Sequence, residues 1–388
     1  MAANISSNPG IYLHIPFCQK KCPYCDFYSV VDSEYRDHFV DDILKEIALI
    51  AGSVKQKAPF DTIYFGGGTP SLLTVREIET ILIALYHTFS FSATVEITLE
   101  ANPGTIDLPR LKAYRQTGIN RLSLGIQSFI NRELQFLGRI HDRQEAIQAI
   151  EMARQAGFRN LSLDLIFALP GQSKNDWLEN LRMALSFHPE HLSAYNLIFE
   201  QGTPFFNRMK AGKIIPKNPD DEARFFEATV EYLREAGFLP YEISNYARNE
   251  QFISRHNYKY WTHTPYLGLG PAAHSYWDEE RRGNVRSVKQ YHQMVQNRRL
   301  PRVFSERIDA HTREFEHIFL GLRTYNGIDL AMFEQQFRHS FLNRYETIIT
   351  PLLDHNLAEQ KRDHFRLTQK GLFISDEILS QFWADPHV

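Results

Sequence analysis

Three cysteines, Cys18, Cys22 and Cys25, sit inside the stretch IYLHIPFCQKKCPYCDFYS (11–29), and the 388-residue chain has no others. Random placement would gather them this tightly on the order of one time in a thousand, so a shared chemical task is expected, and thiolates this close usually share a metal. The spacing C-x3-C-x2-C is one ligand short of the four-thiolate sets that complete a zinc site or an ordinary iron-sulfur cluster. Within the stretch only Asp26 and His14 could close the shell. A three-ligand shell is open, and an open metal position is where a substrate or cofactor binds. The alternatives are a structural zinc completed by a remote His, and idle buried thiols.

Further along, FGGGTP (65–70) begins 40 residues after Cys25 and leaves a strand for a helix. Glycines there let a ligand touch the backbone, whose N–H groups can grip a polar fragment. The string has neither the G-x-G-x-x-G nor the Walker A spacing, which argues against a nucleotide-phosphate site. Glu100 in LEANP is a carboxylate at a strand end, readable equally as a solvated loop acid. Gln127 in GIQSF and Arg139 in LGRIH are compatible with routine surface roles. Asp164 in LDLIF says more, because an acid inside an apolar strand is costly unless it meets a partner. Downstream, RHNYKYW (255–261) offers an imidazole beside aromatic faces, a combination suited to a porphyrin or simply to an aromatic loop packed on the core. LGLGPAAHSYW (267–277) adds His274 as a secondary candidate.

The elements that position these residues alternate. IYLHI is a strand from whose end the cysteine loop hangs, and DSEYRDHFVDDILKEIALIAG (32–52) has helical apolar spacing. TIYFGGG is a strand, and Thr74 with Glu77 forms a capping box for the next helix. ATVEITLEANP, RLSLGIQSF, LSLDLIFALPG and HLSAYNLIFE read as strands three to six, with helices between. Six strands with five intervening helices predict a parallel sheet with right-handed crossovers, either an incomplete (β/α)6 barrel or a doubly wound sheet. In both, functional residues collect at the C-terminal strand ends. Residues 1–200 form this core. Residues 201–302 are looser, with a helix ending at Gly237, a strand YEISNYA and the His- and Tyr-rich stretch. Residues 303–388 turn to helices (AHTREFEHIFLGLR, DLAMFEQQF, NRYETIITPLLDH), a hairpin EQKRDHFRLT and a last helix LFISDEILSQF.

C-x3-C-x2-C with Tyr24 before the last Cys resembles the signature of the radical S-adenosylmethionine (SAM) superfamily, in which three Cys hold three irons of a [4Fe-4S] cluster and SAM chelates the fourth. IYLHIPFC and CPYCDFYS are similar to the branch containing oxygen-independent coproporphyrinogen III oxidase and the HemW-type heme chaperones, a resemblance that runs over nearly the whole chain. It implies the partial barrel and a C-terminal winged-helix-like domain. Carried over position by position, it makes Tyr12, Tyr24, Gly67, Gly68, Thr69, Glu100, Gln127, Arg139 and Asp164 the SAM shell. The string H-N-x-x-Y-W resembles the chaperones' heme motif, here His256, Asn257, Tyr260 and Trp261. The oxidases carry a further Cys two residues after the third ligand, where this chain has Phe27, and a longer N-terminal arm. These departures favour a heme carrier, with heme as cargo and heme-acceptor proteins, some at membranes, as partners. A decarboxylating oxidase and a non-catalytic metal-binding interaction protein are the rival readings.

Composition sets outer bounds. At 43% hydrophobic and 23% charged residues the chain can build a sizeable core, and a net charge of −3 supplies no global field for nucleic acid. Basic residues of the winged-helix-like segment alternate with acidic ones, which also argues against DNA. The N-terminal residues lack signal-peptide features and no apolar run has spanning length, so a cytoplasmic location is expected. Clustered free thiols agree with a reducing compartment. The resemblance implies about four irons and four sulfides per chain after anaerobic reconstitution. Cys22→Ala should abolish them in iron and sulfide assays, whereas bound zinc without sulfide would refute the cluster.

Overall fold

A computed structural model describes residues 7–31 and 34–383. Strands β1 (Gly10–Ile15), β2 (Phe60–Gly67), β3 (Phe91–Ala101), β4 (Arg121–Gln127), β5 (Leu161–Phe167) and β6 (His191–Asn196) pair in that order, all parallel. Between them run α1 (Phe39–Ala51), α2 (Val75–Thr88), α3 (Leu108–Gln116), α4 (Asn131–Phe136), α5 (Arg143–Gln155) and α6 (Lys174–Ser186). The expected βα alternation is therefore present, with α4 as an additional short helix. The capping box of α2 forms as expected: the Glu77 N–H donates to Thr74 Oγ1 at 3.2 Å, and the Thr74 N–H donates to Glu77 Oε2 at 2.6 Å. The first helix starts later than its periodicity suggests. Residues 34–38 form a turn in which Arg36 donates to Glu77 Oε1 at 2.6 Å, tying the segment to α2, and Asp32 and Ser33 lie outside the described residues.

Strand pleating sends alternate side chains to opposite faces. On the helix-covered face stand Ile11, Leu13 and Ile15, then Ile63 and Phe65, Ile97 and Leu99, Leu122, Leu124 and Ile126, Leu161, Leu163 and Leu165, and finally Leu192, all in one buried cluster. The opposite face carries Tyr12 and His14, Thr62 and Tyr64, Thr98 and Glu100, Arg121 and Ser123, Ser162 and Asp164, and His191 and Ser193. The interior of the curved sheet is thus polar, and the apolar core is the layer between sheet and helices.

The sheet extends past both ends of the six-strand unit. After α7 (Pro204–Lys210) and α8 (Pro219–Glu235), β7 (Leu239–Pro240) and β8 (Asn245–Ala247) make a short ladder, and β8 pairs antiparallel with β6. The YEISNYA segment is extended only at its end. Helix α9 (Arg255–Trp261) follows, and then β9 (Tyr266–Leu269) pairs parallel with β1, a seventh parallel strand that the sequence pattern did not reveal. Its Gly268 is required: a Cβ there would lie 2.0 Å from the His274 carbonyl oxygen. Strands β10 (His274–Trp277), β11 (Glu280–Asn284) and β12 (Arg302–Arg307) continue antiparallel, with α10 (Val288–Gln296) before the last. Among the described residues the twelve strands leave edges at β12 and β7 unpaired with each other, so the barrel is open. Because β12 pairs with β11, residues 302–307 sit with this sheet.

The C-terminal part packs α11 (Ala310–Gly321), β13 (Ile328–Asp329), α12 (Leu330–Phe337), α13 (Phe341–Arg344), α14 (Glu346–Asp354), the hairpin β14 (Ala358–Lys361) and β15 (His364–Leu367), α15 (Gln369–Phe373) and α16 (Ser375–Trp383). The hairpin forms as expected, with β13 added beside β15. Two segments read as single helices are broken, at Tyr345 and at Ile374. No helix among the described residues is long and apolar enough to cross a membrane. The two faces of the sheet make different demands. Leu163→Ala, on the packed face, should lower unfolding free energy by about 2–5 kcal/mol in denaturant titration.

Candidate functional site

The cysteine loop is anchored at both ends. The Cys18 N–H donates to the Val30 carbonyl at 3.0 Å and the Val30 N–H to the Pro16 carbonyl at 2.7 Å, so residues 18–30 form a closed excursion above β1. The glycine turn after β2 lies against it, with the Gly68 N–H donating to the Ile15 carbonyl and the Thr69 N–H to the Phe17 carbonyl, both at 2.8 Å. A Cβ on Gly68 would meet the Phe17 oxygen at 2.7 Å and Cys18 Sγ at 3.1 Å, so only glycine allows this approach. From the other side, the turn after α4 runs through Gly138, whose missing Cβ leaves room for Pro23, and delivers Arg139 to the loop.

Side chains close these contacts into a ring. Thr69 Oγ1 donates to Cys18 Sγ at 3.5 Å, and Asn102 Nδ2 donates to Thr69 Oγ1 at 3.0 Å. Arg139 donates through Nη2 to Asn102 Oδ1 and through Nη1 to Cys22 Sγ, the latter at 3.4 Å. Below the ring lies a cleft of about 510 Å3, lined by all three cysteines and by inward residues of β2 to β6. Among the carboxylates that line it are Glu100 on β3 and Asp164 on β5. Glu100 accepts from the Tyr64 hydroxyl at 2.7 Å and from the Gly67 N–H at 3.2 Å. Burial pushes its carboxyl up to about 7, with Asp164 adding to the effect. Asp164 accepts from Ser123 Oγ at 3.0 Å and from Ser162 Oγ at 3.2 Å, and burial raises it too. Arg121, 1% exposed, supplies positive charge beside both, and its Nε and Nη1, like Nε of Arg139, have no hydrogen-bond partner among the described residues.

This donor set fits the cluster and SAM. Burial first, then the neighbouring Cys22 and Cys18, push the Cys25 thiol up to about 11, so three thiolates here need cationic partners. No three His, Cys, Asp or Glu among the described residues converge on a single-ion site. In a cluster each thiolate takes a different iron, so the thiols need only ring it. Enclosed carboxylates beside unpartnered guanidinium atoms suit a ligand that carries cationic and anionic groups together.

Eight of the nine residues expected to form the SAM shell line this cleft: Tyr24, Gly67, Gly68, Thr69, Glu100, Gln127, Arg139 and Asp164. Tyr12 does not; it stacks on Tyr64 and lines a second cavity of about 580 Å3 on the far side of that ring. Gln127 holds a left-handed φ of 66° at a break in the β4–β5 register. Of the two side chains near enough in sequence to complete the thiolate shell, Asp26 lies on the cleft. His14 instead hydrogen bonds the Tyr28 carbonyl at 2.8 Å and the Tyr12 hydroxyl at 3.1 Å. Sequence reasoning gave no role to Tyr64, Arg121, Ser123 or Ser193. Their signal was available, since each sits at the inward phase of its strand's period-two pattern.

Of the H-N-x-x-Y-W residues, Asn257, Tyr260 and Trp261 line the second cavity together with Tyr266, His274 and Arg286. His256 does not. It is 0% exposed, stacks on Tyr12 and Tyr64, and hydrogen bonds through Nδ1 to Thr62 Oγ1 at 2.8 Å and through Nε2 to the Tyr260 hydroxyl at 3.0 Å. The cavities share Asp26, Phe27, Tyr64, Gly67, Glu100, Tyr195 and Asn257, and Phe27 stands 68% exposed at their common mouth.

A model of the radical SAM superfamily matches residues 12–184, and one of the HemN C-terminal domain matches residues 308–374. Curated proteins called Heme chaperone HemW are similar over most of the chain. The one from Synechocystis is 39% identical over 82% of this chain and 79% of its own length. That from Bacillus subtilis is 31% identical over 96% and 99%, and that from Escherichia coli 34% identical over 97% and 98%. A solved structure of coproporphyrinogen III oxidase (HemN) from Escherichia coli, described as a radical SAM enzyme, covers 100% of this chain and 92% of its own with a TM-score of 0.84 at 24% identity, a likeness of fold.

The Glu100 carboxyl gives a pH signature. Its folded pKa of about 7 lies above the unfolded value of 4.5, so its stabilising contribution is full below pH 4.5 and is lost as pH rises through about 7. Glu100→Gln should therefore stabilise the ligand-free protein at pH 8 relative to pH 5.5. The gain should be on the order of 1–2 kcal/mol by chemical denaturation, since cleft water screens part of the penalty. Parallel pH profiles of variant and parent would contradict the assignment.

Proposed function

Because the chain belongs to the radical SAM superfamily, in the group of the HemW heme chaperones, we propose that it binds heme and passes it to acceptor proteins from a site beside its cluster. The observation that carries this reading is the second cavity, walled by the aromatic residues of the H-N-x-x-Y-W helix and sharing Tyr64, Gly67 and Glu100 among its lining with the cysteine cleft. A cavity of about 580 Å3 opening to solvent and lined by Tyr260, Trp261 and Tyr266 suits a flat apolar macrocycle that must leave again.

In the adjoining cleft Cys18, Cys22 and Cys25 would hold the [4Fe-4S] cluster and leave one iron open to SAM. The Gly67–Thr69 backbone would receive the amino-acid end of SAM, Arg139 would pair its carboxylate, Glu100 would face its cationic part, and Asp164 would accept from its hydroxyls. When bound, cluster and SAM supply one-electron chemistry at the sulfonium. The protein's own part is to hold the charges, keep water off the thiolates and fix the distance to the second cavity. At Phe27, where the oxidases resembled carry a further cysteine, this chain presents an exposed aromatic ring at the mouth of both cavities.

The test is anaerobic. Reconstituted protein loaded with hemin should transfer it to an apo heme protein, followed by the Soret band of the acceptor. The same preparation with SAM and reductant should leave coproporphyrinogen III unchanged, and its conversion to protoporphyrinogen IX would overturn the chaperone reading.

A further inference from the structure

Resting on the heme-carrier reading, we propose that His274 is the side chain that ligates the heme iron, that Arg286 pairs a heme propionate, and that His256 is a positioning residue of the cavity wall. An axial ligand needs a nitrogen lone pair that a metal can reach. Three histidines lie on or behind this cavity, and two are committed. Both nitrogens of His256 are hydrogen bonded, to Thr62 and Tyr260, and its faces are covered by Tyr12 and Tyr64. Ligation through it would break at least one of those bonds and open the β1–β2 wall. Both nitrogens of His14 are likewise used, and it is 4% exposed, wedged against Gly67.

His274, the first residue of β10, lines the cavity and is exposed, and among the described residues no hydrogen bond or ion pair reaches its ring. Its ring rests on Gly283: a Cβ there would meet Cε1 at 3.2 Å and Nδ1 at 3.4 Å. Glycine on β11 therefore makes the space for the imidazole, with Nε2 as the nitrogen away from that strand. Arg286 lines the same cavity, is exposed and has no carboxylate partner among the described residues, unlike Arg281, which pairs with Glu316. An unpaired guanidinium near an unheld imidazole, facing aromatic Tyr260, Trp261 and Tyr266, complements a disc with a metal centre and a carboxylated edge. One accessible ligand rather than two also suits cargo that must be released.

The experiment titrates hemin into cluster-reconstituted protein and follows the Soret band and the electron paramagnetic resonance of the ferric iron. The parent protein should saturate with an imidazole-ligated spectrum. His274→Ala should lose that spectrum, bind hemin at least about tenfold more weakly, and regain the spectrum on adding free imidazole, with iron and sulfide content unchanged. Arg286→Leu should weaken hemin about tenfold while leaving the affinity for hemin dimethyl ester as it was. If His274→Ala keeps the parent spectrum, the ligand assignment is wrong, and loss of the spectrum in a folded His256→Ala variant would return it to the buried histidine. A parent protein that does not saturate with hemin would remove the carrier reading, and this ligand with it.

Discussion

Everything at the site depends on holding three thiols at a strand end before any metal is bound. Thiolates repel one another, and a loop of thirteen residues from Cys18 through Val30 has ample conformational entropy to lose. The protein meets this with two backbone hydrogen bonds that close the loop and a ring of side chains, Cys18–Thr69–Asn102–Arg139–Cys22, that draws on the ends of β2 and β3 and on the turn after α4. The five members come from four connections, with Cys18 and Cys22 following β1, Thr69 following β2, Asn102 following β3 and Arg139 following β4. The loop is positioned only if successive strands are in register, so the parallel sheet is the precondition of the metal chemistry.

The same geometry explains why charge is tolerated in the barrel. Glu100, Arg121 and Asp164 lie on adjacent strands at the inward phase, where parallel pairing sets Glu100 opposite Ser123 and Asp164 opposite Ser193. Hydroxyls satisfy the acids and Arg121 offsets their charge, yet burial still drives both carboxyls up. Such an arrangement is a cost in the empty protein and becomes favourable when a cationic ligand sits among them, a signature of binding sites rather than of structural ion pairs.

Much of this was legible in the sequence because it depends on local rules. The cysteine spacing, the glycine turn, the Thr74–Glu77 box and the six strands all follow from short-range chemistry. What escaped depends on tertiary partners. Strand β9 is four residues of Tyr, Leu and Gly that become a strand only because β1 offers an edge. Arg121 reads as the polar start of a strand until Glu100 and Asp164 are known to face it. His256 and His274 cannot be told apart by residue type, and the difference between a stacked, doubly bonded ring and an open one emerges only when Tyr12, Tyr64 and Thr62 are brought around the first.

Tyr64 is where the two cavities meet. Its hydroxyl is committed to Glu100 on the cleft side, while its ring stacks on His256 at 5.1 Å and on Tyr12 at 6.1 Å on the other. His256 in turn holds the hydroxyl of Tyr260, which lines the second cavity. A change of charge or occupancy at Glu100 alters the acceptor of the Tyr64 hydroxyl, and that ring can respond only through the stack that fixes the H-N-x-x-Y-W helix. Binding in the cleft and binding in the cavity therefore act on one shared set of contacts. Linkage requires any such influence to be reciprocal: if a ligand in the cleft changes the affinity of the cavity for its occupant, that occupant changes the affinity of the cleft by the same factor. On the proposed carrier reading, the buried His256 at the centre of that wall would transmit, and the open His274 that lines the cavity would hold.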